Sequence, residues 1–181
     1  MTRRILATFK QASAADLAQG LAWYERARVA AIEMHANVLI SAGVIAALSP
    51  RCMWSTNKKW AQMVIDAARN GEPCPNVHTG EMRSKAWRIA NLENPTIEQV
   101  VLILNGFKIT RFFRNIVGDL NAVTVDVWAQ RIALGRDSKT PPVGPVYLNI
   151  EAAYQAAALI LGVPARDVQA ATWVHIRGAA E

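Results

Sequence analysis

Apolar positions in this chain recur at three- and four-residue spacing far more often than at alternate positions, a pattern that predicts helices almost throughout. Ser13 and Asp16 open one as a capping box, and Leu17, Leu21, Tyr24 and Val29 carry its apolar face on toward Met34. Val38 to Leu48 is apolar at nearly every position, which predicts a helix buried on all sides and ended by Ser49-Pro50-Arg51. A third helix starts near Ser55 and runs through Trp60, Met63, Val64 and Ala67 to Gly71, where the loop Glu72-Pro73-Cys74-Pro75-Asn76 takes over. A fourth spans roughly Met82 to Asn91. Thr96 and Gln99 form a second capping box before Val100, Val101 and Ile103. Gly106 then makes a tight turn into a helix with Lys108 in its first turn, continuing through Phe112, Phe113 and Ile116 to Gly118. Ala122 to Val125 is the one β-like stretch, with no partner strand, and it ends on Asp126, placed to cap the helix from Val127 to Leu134. One helix follows the Pro141–Pro145 loop, and the last opens at Pro164 and carries Val168, Ala171, Trp173 and Ile176. The pattern predicts an all-α fold, a bundle of about eight to nine short helices.

Composition narrows the picture. At 181 residues and 52% hydrophobic, the chain can bury a core as one domain or as two small lobes sharing one. The Val38–Leu48 run is too short to span a bilayer, so no membrane partner is expected. The basic start, Met1 to Lys10, breaks off before the apolar stretch of a secretory signal, and the expected location is cytoplasmic. Cys52 and Cys74 are too few for a four-thiolate site and are expected as free thiols, while His35, His78 and His175 show no metal-ligand spacing; neither metal nor cofactor is expected. No Walker loop, dinucleotide fingerprint or nucleophile elbow is present.

Charge points to a polyanion. Lys and Arg outnumber Asp and Glu by 20 to 14, giving +6 and a pI near 9.7. Arg51, Lys58, Lys59, Arg83, Lys85, Arg88, Lys108, Arg111 and Arg114 crowd the middle third, with Arg131, Arg136 and Lys139 beyond. A basic stripe of this kind would supply phosphate contacts to a polyanionic partner.

Four segments carry a family resemblance. Val44-Ile45-Ala46-Ala47-Leu48-Ser49-Pro50-Arg51 with Trp54, Asn57 and Lys58 looks like an apolar helix ending in a Leu-Ser turn, and Ser84-Lys85-Ala86-Trp87-Arg88-Ile89 like a Lys-Ala-x-x-Ile helix. Leu104 to Arg111 resembles a helix-hairpin-helix, and Val123 to Leu134 a Val-Asp helix. In this order they resemble the helix-hairpin-helix DNA glycosylases of the endonuclease III type, and the 18 residues from Lys108 to Asp126 match the separation of that family's catalytic lysine and aspartate. The compact form also looks like uncharacterised proteins of actinobacteria and their phages, some relatives of which act in hypermodified thymine metabolism. The resemblance implies a single domain over 1–181, with an inner lobe of about 38–118 and an outer lobe of about 1–37 and 119–181. The chain departs from the pattern in three places. Its hairpin, Ile103-Leu104-Asn105-Gly106-Phe107-Lys108, has one glycine instead of two; Pro50-Arg51 replaces the glutamine after the Leu-Ser turn; and the C-terminal four-cysteine cluster is absent.

The chemistry can also be argued from the residues. Cleaving a base from deoxyribose builds positive charge on the sugar, and a carboxylate fixed beside that carbon stabilises it. Asp126 is the candidate, since backbone N–H groups and the positive end of the helix macrodipole suit a carboxylate at an N-cap. Lys108, at another helix N-terminus near Arg111, is the candidate nucleophile, because both neighbours disfavour its ammonium and free its amine for Schiff-base chemistry. Expected DNA contacts are Arg51, Asn57, Lys85, Gly106, Arg111, Asn115 and Arg131. A base flipped from the duplex needs aromatic surfaces, and Trp54, Trp87, Phe107 and Trp128 are the candidates for pocket or wedge. The function expected is excision of a damaged or modified base, with an abasic-site lyase step through Lys108. The alternatives are group transfer on a hypermodified thymine by a phage-type enzyme of the same fold, and a DNA-binding protein without catalysis.

Overall fold

A computed structural model describes residues 1–178 and is helical throughout, so the fold is all-α. Its helices are α1 (Thr2–Gln11), α2 (Ala14–Leu21), α3 (Trp23–Met34), α4 (Val38–Ala47), α5 (Trp54–Asn70), α6 (Gly80–Ala90), α7 (Ile97–Leu104), α8 (Phe107–Val117), α9 (Val127–Leu134), α10 (Gly144–Leu161) and α11 (Ala165–Arg177). These eleven, among the described residues, exceed the eight or nine expected for two local reasons. The basic first residues form α1, whose N-cap Met1 offers no side-chain cap and so no start signal. The helix expected from Ser13 to Met34 breaks at Ala22, which separates α2 from α3. The chain divides into two compact units, one made of Met1–Arg26 with the segment from Gly118 onward, the other of Ala27–Val117.

The Ala27–Val117 unit is built around α4. Every residue from Ile40 to Ala47 is buried, because α5, α6, α7 and α8 all pack against this one helix. That is the environment an uninterrupted apolar run requires. Capping sets the helix starts: Asn37 Oδ1 accepts the Leu39 N–H at 3.0 Å, and Thr96 with Gln99 forms the reciprocal box that opens α7. Two residues, Asn105 at φ +43° and Gly106 at φ +141°, connect α7 to α8. An L side chain rarely adopts the second of these values, so the turn depends on glycine there.

In the other unit, α1 packs against α9, α10 and α11, and α2 lies along α11. The closest approach is at Gly20, where an added Cβ would run into the backbone of Ala171, lying 2.6 Å from its nitrogen. The core joins Ile5, Val123, Val125, Ala129, Tyr147, Ile150, Tyr154 and Val168. Among the described residues there is no strand; in place of a ladder, the Ala122 N–H donates to Asp119 Oδ1 at 3.1 Å and α10 holds the backbone of Val123 and Val125. Val123 N–H donates to Glu151 Oε1 at 3.2 Å, Val125 N–H donates to Tyr147 Oη at 3.0 Å, and the Tyr147 hydroxyl donates to the Val123 carbonyl at 2.7 Å.

Candidate active site

The anchored 122–125 segment delivers Asp126 to the start of α9. Its Oδ1 accepts the Ala129 N–H at 2.8 Å, the cap expected from sequence. Its Oδ2 accepts the indole N–H of Trp173, on α11, at 3.1 Å. Two N–H donors from different elements therefore hold one half-buried carboxylate, one on each oxygen. Arg177, one turn on from Trp173, stacks its guanidinium 4.8 Å from the indole. Tyr154 is fully buried with its hydroxyl 3.4 Å from Thr172 Oγ1. Burial pushes its phenol far above the usual tyrosine range, the Thr172 contact opposing and the negative charge of Asp126 reinforcing the rise, so the phenol is held neutral.

In the Ala27–Val117 unit, Lys108 is the second residue of α8 and half-buried, in the first turn as expected. Thr110 Oγ1 lies 2.9 Å from the Gly106 carbonyl and 3.0 Å from that of Phe107, tying the α7–α8 turn to the first turn of α8. Phe107 is 36% exposed, with the Arg111 guanidinium 5.4 Å from its ring centre.

The other expected contacts divide by exposure. Arg51 is exposed in the turn after α4, at φ +55°. Asn57 is only 1% exposed and donates to the Ile45 carbonyl at 3.1 Å, which satisfies an end carbonyl of α4. Asn115 is fully buried in α8. Both asparagines are thus buried, whereas the expected DNA contacts Arg51 and Arg111 lie nearer the surface, and Asn57 makes the helix-end hydrogen bond that its sequence position equally allows. Lys85 pairs with Glu81 at 2.9 Å one turn earlier on α6. Arg131 stacks on Trp128 at 4.6 Å, pairs with Asp137 at 2.8 Å and donates to the Ser138 carbonyl. Trp54 lies 5.6 Å from Lys58 Nζ, and Trp87 is half-buried on α6. The sequence pattern places Trp173 only on the apolar face of the last helix. No local signal ties it to an acid 47 residues earlier.

Among the described residues no set of three or more His, Cys, Asp or Glu side chains is grouped to hold a metal ion, and no single helix is long and apolar enough to cross a membrane. Cys52 and Cys74 form no disulfide, and burial pushes both thiols up. The sequence profile of the Family of unknown function (DUF7178) matches residues 1–180, and the chain belongs to that family. No curated protein and no solved structure matches the chain.

Proposed function

We propose that this member of the family is a cytoplasmic DNA glycosylase that removes a damaged or modified base, with an abasic-site lyase step. The observation that carries the reading is the setting of Asp126, a helix-capping carboxylate gripped by a second N–H donor from Trp173. Such a carboxylate is oriented before any substrate arrives, which is what stabilising a sugar cation demands. The two-residue α7–α8 turn with Lys108 in the first turn of the helix after it supports the same reading, as does the positive net charge. In the proposed reaction the Lys108 amine forms a bond to the sugar C1′ as the glycosidic bond breaks, the base leaving with the electron pair and a proton. Opening of the sugar ring then yields a Schiff base, from which the lyase step proceeds.

Borohydride trapping tests this on duplexes carrying an abasic site, uracil, 5-hydroxymethyluracil, thymine or an oxidised base. Wild type should form a covalent adduct, Lys108→Gln should form none, and Asp126→Asn should release no base. Absence of adduct and of released base on every duplex, with DNA binding retained, would overturn the reading and leave group transfer on a modified thymine or plain DNA binding.

A further inference from the structure

A cleft of about 340 Å³ opens on the unit that contains Asp126, lined by Arg4 and Ala7 of α1, Trp128, Arg131 and Ile132 of α9, and Ile176 of α11. It begins two residues beyond Asp126 on the same helix. Ala7, Ile132 and Ile176 give it apolar surface, and Trp128 adds an aromatic wall.

The two arginines have different standing. Arg131 is committed: its guanidinium lies on Trp128 and is held by Asp137 and the Ser138 carbonyl, so it stiffens the wall and its charge is offset. Arg4 is exposed, and no acid or hydrogen-bond acceptor among the described residues engages its guanidinium. Its side chain lies across Gly135, where a Cβ would strike its Nε and approach its Cδ to 2.9 Å. The cleft thus sets an open donor fork beside an aromatic and aliphatic surface. A bare phosphate would leave Trp128 unused, and a neutral apolar ligand would leave Arg4 unused. A planar ring joined to an anion uses both.

We propose that this cleft binds a nucleotide unit, its base against the Trp128 wall and its phosphate on Arg4. The proposal deepens the DNA reading above and rests on it for the source of the nucleotide, which would be the strand flanking the one reacted at Asp126. A free mononucleotide shares the chemistry.

The experiment is fluorescence anisotropy of a labelled short oligodeoxythymidylate with the full chain and with Arg4→Gln, Trp128→Leu and Asp126→Asn, repeated across salt concentrations and with thymidine monophosphate as competitor. Arg4→Gln should weaken binding several-fold and lower the salt slope by about one. Trp128→Leu should weaken it about tenfold or more, the range expected for one stacked base. Asp126→Asn should release no base while its binding still depends on Arg4 and Trp128. Exposed Arg4 makes its variant a safe fold control, checked by the thermal melt. Wild-type affinity and salt slope in both the Arg4 and Trp128 variants would overturn the cleft, even if trapping succeeds. Binding that depends on both residues with no trapping on any duplex would keep the cleft and sink the glycosylase. Full competition by the monophosphate at low concentration would assign the same cleft to a free nucleotide.

Discussion

Removing the Asp126 carboxylate separates its two roles, because each substitution cancels a different set of bonds. Asp126→Ala deletes the N-cap of α9, worth about 1 kcal/mol. It also strands the half-buried indole N–H of Trp173, worth about a further 1–2 kcal/mol. The sum is about 2–3 kcal/mol, which for a chain of 181 residues lowers the melting temperature by about 5–10 °C. Asp126→Asn caps as well as aspartate, yet its single carbonyl oxygen can meet only one of the two N–H donors, so it should lose about 1 kcal/mol and about 2–4 °C. Trp173→Phe removes the indole donor together with part of the ring that Arg177 stacks on, so it should cost at least as much as Asp126→Asn, and the Asp126→Ala/Trp173→Phe pair should show a coupling of at least about 0.5 kcal/mol. Thermal and urea melts followed by circular dichroism read wild type and all four variants. An alanine variant that melts within a degree or two of wild type, or a pair that is strictly additive, would refute the two-donor clamp. Base release should disappear in the asparagine variant although most of its stability survives.

Two further outcomes follow from the same packing. Tyr147→Phe leaves the Val125 N–H and the Val123 carbonyl, both buried, without the hydroxyl they share, so stability should fall by about 2–4 kcal/mol in urea titration, and a loss below about 0.5 kcal/mol would contradict the anchoring. The His175 contact first, then the Ser13 side chain, holds the Asp16 carboxyl below its ordinary range. A depressed folded value means that the stabilisation is fully present above the ordinary aspartate range and is lost as pH falls through the folded value, so Asp16→Asn should flatten the acid limb of the stability–pH curve, and an unchanged limb would refute the assignment.

How much of this was legible in the sequence depended on whether the deciding interaction was local. The uniform apolar run of α4 announced a helix surrounded on all sides, and the boxes at Ser13 and Thr96 and the cap at Asp126 involve residues within three positions of one another. The break at Ala22 had no such signal, because the nearby constraint is the distant backbone of Ala171 against Gly20. Sequence leaves Asn57 open between a phosphate contact and a helix-end hydrogen bond, because the carbonyl that it meets belongs to another helix. Trp173 was hidden for the same reason. A tryptophan on an apolar helical face reads as core until the fold brings a carboxylate to its single N–H.

The surroundings of Asp126 bear on whether the residue is more than a cap. A helix cap needs one side-chain oxygen and an extended backbone at its own position, and Asp126 has both through Ala129 alone. The preceding residues are nevertheless pinned by a Glu151 carboxylate only 7% exposed and by a fully buried tyrosine hydroxyl, polar groups that incur desolvation to hold three backbone atoms of a short extended segment. Together with the Trp173 N–H, that fixes the carboxylate from before it in the chain, from its own helix and from α11. Fixing a group from several independent elements matters little to a cap, whose value is about the same with modest play. It matters a great deal to a group that must meet a developing charge within a fraction of an ångström. Loosening the platform therefore discriminates between the roles: in a folded Tyr147→Phe protein, base release should fall well beyond what the lost folded fraction accounts for if Asp126 is catalytic, and in proportion to that fraction if it is only a cap.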